Sequence, residues 1–275
     1  MFYGDLLMVS QENSVPIAVI GGTGIYDTNL FREERTVKPQ TPFGETSDVI
    51  IVGSLGEKKV AFLPRHGKGH RIPPHMINYR ANIWALRELG VKRIIAPSAV
   101  GSLDYKFKPG DILLPDQFVD FTKKREYTFY DGPQVCHVST ADPLCTDLRS
   151  IAKQCLSDLN IRYHDKGTYV CIEGPRFSTR AESKVFRNIL HADIIGMTLV
   201  PECVLARESE ICYLSVSTIT DYDVWADKPV SSKEIIETLR RNVENTKNFL
   251  SKLIPSVIEE RSNCKCGTAL EDALL

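Results

Sequence analysis

Short apolar runs alternate with stretches of helical period along this chain, and each run ends in glycine or small polar residues. Val15 to Ile20 ends in Gly21-Gly22-Thr23-Gly24, a strand feeding a glycine turn. Further strands are expected at Val49 to Val52, Lys59 to Leu63, Arg93 to Ala96 and Asp111 to Leu114. Tyr169 to Ile172, Asp193 to Met197 and Ile211 to Ile219 continue the series. Between them, Asn78 to Leu89 places Ala81, Trp84, Ala85 and Leu89 at helical spacing, with Gly90 as its stop. Leu144 to Leu159 and Arg180 to Leu190 also read as helices. The last helix starts at a Ser231/Glu234 capping box, and Ile235, Leu239, Val243, Leu250, Ile254 and Val257 follow one face. Such alternation predicts an α/β layer protein whose body no Pro/Gly linker divides. The expected division is an extension over 1–14, a single domain over 15–258 and a cysteine-bearing tail over 259–275.

Composition narrows the function. A formal net charge of −1 gives no basis for a nucleic-acid or membrane-surface partner. Met1 to Ser14 carry Asp5 and Glu12 with no basic start, and no apolar run approaches a membrane span, so a cytoplasmic protein is expected. Of the eight cysteines, six lie in apolar contexts. Cys264-Lys265-Cys266 sits in a polar tail beyond the expected core. Without a second cysteine pair at ligand spacing, no metal is expected there, and redox or disulfide chemistry is favoured. Intracellular proteins of hyperthermophiles are where such disulfides occur.

Polar residues at the expected strand ends are the candidates for chemistry. Gly22-Thr23-Gly24 would begin a dinucleotide fingerprint, but the third glycine would fall at Asp27, whose carboxylate repels a pyrophosphate. Backbone N–H groups and the Thr23 hydroxyl suit one compact anion instead, and a tight structural turn explains the glycines equally well. Arg65-His66 follows a strand, pairing a guanidinium fork for phosphate oxygens with an imidazole donor that tracks the phosphate proton. Ser98 and Ala99, Phe177 and Ser178, and Met197 and Thr198 end other runs, with Phe177 available to stack on a base. Asp221 and Asp223, one residue apart on an extended run, would point the same way.

Several segments together resemble the 5'-methylthioadenosine phosphorylases of the trimeric purine nucleoside phosphorylase superfamily. They are Ile20-Gly-Gly-Thr-Gly24, Thr41-Pro-Phe-Gly44, Arg65-His-Gly67, Asn82-Ile-Trp-Ala-Leu86, Gly101-Ser-Leu103, Pro109-Gly-Asp111, Gly174-Pro-Arg-Phe-Ser178, Arg180-Ala-Glu-Ser183, Val200-Pro-Glu202 and Thr220-Asp-Tyr-Asp223. They stand in family order from about residue 15 to 255. The resemblance implies a mixed central sheet with a barrel-like extension flanked by helices, in a homotrimer or dimer of trimers. It implies inorganic phosphate as co-substrate, no cofactor, and phosphate contacts at Thr23, Arg65, His66, Ser98, Ala99 and Thr198. It places the ribose against Met197, the base near Phe177 and Ser178, and the purine's N7 and exocyclic nitrogen at Asp221 and Asp223. Relatives acting on 6-oxopurines carry Asn at the Asp221 position, so adenine is expected. Ser232 falls near the 5' substituent, and His137 matches a histidine lent to a neighbouring subunit's pocket. The Cys264/Cys266 tail fits an archaeal thermophile type. A broader purine nucleoside phosphorylase, a nucleosidase using water, a dinucleotide-dependent oxidoreductase and a non-catalytic nucleoside-binding module are the competing readings.

Overall fold

The computed structural model describes residues 14–22, 31–226 and 232–275, excepting the side chains of 232–237 and 239. The Ser231/Glu234 capping box lies outside what is described. In chain order the elements are β1 (Ile17–Gly21), β2 (Arg32–Val37), β3 (Ile50–Leu55), β4 (Lys58–Pro64), α1 (Tyr79–Glu88), β5 (Arg93–Ser102), β6 (Ile112–Leu113) and β7 (Gln117–Phe121). There follow α2 (Thr146–Asp158), β8 (Tyr163–His164), β9 (Thr168–Ile172), α3 (Arg180–Asn188), β10 (Ile194–Gly196), α4 (Leu199–Glu208), β11 (Cys212–Asp221) and α5 (Ser232–Ser256).

Among the described residues the strands form one mixed sheet of eleven, with a main path β2-β3-β4-β1-β5-β10-β9-β7 and a branch through β11, β6 and β8. β1 is buried throughout and lies parallel to both β4 and β5, as its unbroken apolar run requires. Its side chains alternate between the layers. Ala18 and Ile20 join the cluster that includes α1 and α4, while Ile17 and Val19 join the one that includes α2 and α5.

The decisive feature is β5. Along one edge it pairs with β1 over Arg93–Ile95 and then with β10 at Gly101 and Ser102, leaving the stretch between them without a partner on that side. β11 runs parallel along its other edge from Cys212 to Asp221. A sheet that changes neighbours mid-strand opens a crevice there, where ligands of α/β proteins bind. Pro97 sits in that gap, where its missing N–H removes no ladder bond on the open side.

Some elements were hidden in the sequence. β2 is Arg-Glu-Glu-Arg-Thr-Val, an exposed edge strand with no apolar alternation to announce it. α4 is apolar on nearly every side and buried, so it lacks the one-sided stripe that reveals a helix. α1 matches its expectation closely: the Asn78 side chain accepts from the Ala81 N–H, and Gly90 takes φ +81° behind it.

The tail is a correction. It does not lie beyond the core: Cys266 and Ala273 are buried, and Leu274 bridges to Cys136. Arg93 Nη2 holds the Glu260 carbonyl at 2.5 Å, and the Leu275 N–H donates to Val135 at 3.0 Å. The missing second cysteine pair is also present in space, because Cys145 and Cys212 stand beside Cys264 and Cys266.

Candidate active site

The crevice at β5 is a cleft of about 500 Å³, lined at one end by Arg65, His66, Ser98, Ala99 and Thr198 and at the other by Phe177, Ser178, Asp221 and Asp223. Met197, Gly196 and Ile195 lie on the wall from β10. Two glycines let backbones close around it. A Cβ on Gly22 would stand 2.5 Å from the Pro97 carbonyl oxygen and 3.0 Å from Arg65 Nη1. At Gly174, with φ +69°, a Cβ would stand 2.7 Å from Met197 Sδ, so bare backbone holds the thioether in place.

Arg65 is almost wholly buried at the end of β4. Its Nε donates to Glu202 Oε2 at 2.7 Å and its Nη2 to Glu202 Oε1 at 2.8 Å, while Nη1 donates to the Pro97 carbonyl at 3.2 Å. The Tyr213 hydroxyl completes the carboxylate, donating to Oε1 at 2.7 Å. Burial opposes the charge on Arg65, and the Glu202 carboxylate outweighs it, so the guanidinium is held above its ordinary pKa. This corrects the expected phosphate fork. The bidentate edge grips Glu202, and only the remaining N–H groups face the cleft.

His66 also departs from expectation. Burial, aided by the Arg65 charge, lowers its pKa to about 3, so the ring is neutral near physiological pH. Nδ1 lies 2.9 Å from the Ile72 carbonyl, which accepts only, so Nδ1 carries the proton. Nε2 is left as an acceptor rather than the anticipated donor. The His70 ring stacks on it with centroids 4.2 Å apart. Ser98 and Ala99 lie inside β5 rather than at its end, on the stretch that faces the crevice. Thr198 stands at the N-terminus of α4.

At the far end, Asp221 closes β11 and Asp223 opens a one-turn 3-10 helix, Asp223–Trp225, with φ +49°. The run is therefore bent, not extended. The carboxylates converge because the Asp223 N–H turns back onto Asp221 Oδ1 at 2.8 Å. Ser178 Oγ donates to Asp223 with both oxygens at 3.0 Å, and Ser183 Oγ reaches Oδ2 at 2.5 Å. Burial raises both aspartates above the ordinary carboxylate range; for Asp221 the neighbouring Asp223 charge adds to the rise. Thr220 has one hydroxyl proton for two acceptors, Asp221 Oδ2 at 2.6 Å and the Val100 carbonyl at 3.1 Å. Donation to Val100 frees its oxygen to accept from a protonated Asp221.

The phosphorylase superfamily model matches residues 16–255 of this chain. The chain belongs to the phosphorylase superfamily. It is 53% identical over 270 residues to the S-methyl-5'-thioadenosine phosphorylase of Saccharolobus solfataricus, covering 98% of this chain and 100% of that protein. To the enzyme of the same name from Nitrosopumilus maritimus it is 57% identical over 263 residues, covering 96% and 99%. Among solved structures, a methylthioadenosine phosphorylase from an antarctic soil metagenomic library superposes with a TM-score of 0.91 at 45% identity, covering 96% and 93%. The methylthioadenosine phosphorylase of Schistosoma mansoni in complex with adenine gives 0.88 at 37% identity, covering 94% and 96%. The expected mixed sheet flanked by helices is therefore the phosphorylase fold.

Within the phosphorylase cleft the structure gathers Arg65, His66, Ser98, Ala99, Met197, Thr198, Phe177, Ser178, Asp221 and Asp223. Thr23 lies outside the described residues, and Ser232 begins α5 with its side chain undescribed. His137 is exposed and not among the residues lining the cleft; its N–H donates to the Ala273 carbonyl at 2.7 Å. Glu202, Ser183 and Thr220 stood inside the matched motifs without an assigned role. The Thr179/Glu182 capping box, which starts α3 and so orients Ser183, was the one readable signal for any of them.

Proposed function

We propose that this chain phosphorolyses 5'-methylthioadenosine to adenine and 5-methylthioribose 1-phosphate. The observation that carries the reading is a single cleft with the Arg65 guanidinium, the neutral His66 ring and the Ser98 and Thr198 hydroxyls at one end and a buried carboxylate pair at the other. Its close relatives bear that activity in their names.

Phosphate sits at the first end, held by Arg65, the Ser98 and Thr198 hydroxyls and the backbone at Ala99, with Thr23 as a further contact in this reading. Neutral His66 accepts the proton of monohydrogen phosphate at Nε2, which turns the anion's bare oxygens toward the sugar. A phosphate oxygen forms a bond to C1' as the C1'–N9 bond breaks, and Met197 packs against the ribose. Electrons of the broken bond move into the purine, and protonation at N7 by neutral Asp221 makes adenine a better leaving group. Asp223, ionised and fed by two serine hydroxyls, accepts from the 6-amino group and so disfavours a 6-oxo base. Phe177 flanks the base. No cofactor enters this chemistry.

Assembly is a homotrimer or dimer of trimers in this reading, with His137 serving a neighbour's 5' pocket and Ser232 near the same substituent. No helix among the described residues is long and apolar enough to cross a membrane, and a cytoplasmic enzyme fits. The deciding experiment measures adenine release from 5'-methylthioadenosine with and without phosphate, with inosine in parallel. Phosphate-dependent release with little turnover of inosine is expected. Equal release without phosphate would make the chain a nucleosidase.

A further inference from the structure

We propose that Tyr169 is a positioning residue for phosphate: its hydroxyl, behind the cleft wall, donates to the Thr198 hydroxyl and so turns the Thr198 proton onto the anion. This role rests on phosphorolysis as the reaction of the cleft, with Thr198 as a phosphate contact. Tyr169 lies on β9, which is paired on both sides, to β7 and to β10, and its side chain is wholly buried. The phenol reaches along the sheet to Gly196, two residues before Thr198. A Cβ on Gly196 would overlap the hydroxyl oxygen and stand 2.5 Å from its ring carbon Cζ and 3.2 Å from Val100 Cγ1. Gly196, Val100 and Thr198 all line the cleft. The phenol therefore lies against bare backbone of the cleft wall.

Its hydrogen bonding is incomplete. Tyr169 Oη has no partner among the described residues, whereas a buried tyrosine hydroxyl normally finds one. Thr198 is the N-cap residue of α4, yet its hydroxyl does not cap the helix. The Thr198 N–H and hydroxyl are instead directed at the phenol oxygen without closing a bond to it. Burial raises the phenol's pKa and outweighs the opposite pull of Thr198 and of the Arg65 charge. Tyr169 thus stays protonated and has a proton to offer.

The anion decides where that proton goes. A threonine hydroxyl has one proton to donate and lone pairs to accept with. When a phosphate oxygen takes the Thr198 proton, Thr198 Oγ1 is left as an acceptor beside a phenol that lacks one. The sequence Tyr169 O–H to Thr198 O–H to phosphate then satisfies all three groups, and no proton is transferred. Its last bond is charge-assisted, and in a dry site each bond polarises the next. The phenol does not touch the anion itself, because its oxygen is closed off from the cleft surface. It acts through Thr198. Without it the Thr198 rotor has no partner behind it to hold its proton toward the cleft.

The test is Tyr169→Phe in the full chain, assayed with 5'-methylthioadenosine and inorganic phosphate. The KM for phosphate should rise about three- to tenfold, the range for one hydrogen bond in such a chain, while kcat at saturating phosphate changes by less than about twofold. Without phosphate the variant should melt no lower than the parent, because an unpaired buried hydroxyl has been removed. The gain in Tm on adding phosphate should shrink. In a Thr198→Val background, Tyr169→Phe should weaken phosphate binding no further by titration calorimetry, since the hydroxyl it acts through is gone. The parent's phosphate KM in Tyr169→Phe overturns the proposal, and so does an equal effect in both backgrounds. A Tm lowered equally with and without phosphate would make the hydroxyl a structural group and overturn it too. Equal adenine release by the parent with and without phosphate would instead overturn the phosphorolytic reading, and this role with it.

Discussion

Replacing Glu202 by Gln isolates the charge of the buried ion pair, because the side chain keeps its volume and leaves no cavity. Glu202 is fully buried, and Arg65 is nearly so. The amide can accept from only one guanidinium nitrogen, and its NH2 is set against another N–H within a site where the bonds now run 2.7 and 2.8 Å. Breaking one side of a buried pair costs about 3–5 kcal/mol, since the surviving charge has no compensation. At roughly 2.1 cal/mol/K per residue the unfolding entropy of this chain is about 0.6 kcal/mol/K, so Glu202→Gln lowers the Tm by about 5–9 °C. The same change frees Arg65 from its fixed orientation, and the KM for phosphate should rise at least about tenfold, equivalent to the loss of about 1.4 kcal/mol. Calorimetry and phosphate titrations of adenine release read the two effects separately. The double variant Arg65→Met/Glu202→Leu should recover much of the stability and none of the phosphate affinity. A Glu202→Gln protein within about 1 °C of the parent, or with an unchanged phosphate KM, would refute the view that this pair both stabilises the cleft and aims the guanidinium.

Asp221→Asn should lower kcat by about 10²–10⁴-fold by removing the proton donor, and should relax the preference against 6-oxopurines. Its stability has a predictable sign: a raised carboxyl pKa means the folded state binds more protons from about pH 3.9 upward, so this group's contribution falls as pH rises toward its folded value. The Asn variant, compared with the parent, should therefore be relatively more stable at neutral pH than at pH 4, and chemical denaturation at the two pH values checks it. For His66, nitrogen-15 NMR should find a neutral ring protonated at Nδ1 from pH 5 to pH 8, as a pKa of about 3 and the Ile72 carbonyl dictate; an imidazolium at pH 6 would contradict its role as acceptor. Gly22→Ala drives a Cβ to 2.5 Å from the Pro97 carbonyl oxygen. It should cost about 1–3 kcal/mol by calorimetry and weaken phosphate binding, because the backbone of β5 has nowhere to yield.

Much of this fold is local. β1, β4, β5 and β11 announce themselves by apolar runs and α1 by its cap and stop, since periodicity and turn chemistry are set by neighbours in sequence. Arg65, His66, Asp221 and Asp223 could be nominated for the same reason: each ends or follows a strand, where an open sheet presents its ligands. The fork of β5 could not, because it depends on which strand pairs with which half of another. Nor could the partners that set the site's chemistry. Glu202 lies 137 residues from Arg65, Ser183 lies 40 from Asp223, and Cys264 lies 52 from Cys212. Local pattern carries no record of such closures. The sequence by itself determined the α/β alternation, the order of the motifs and the residue types able to hold an anion and a purine. Only the tertiary structure decided that the Arg65 fork faces Glu202, that His66 is an acceptor and that four scattered cysteines meet, because each depends on burial and charge contributed by distant parts of the chain.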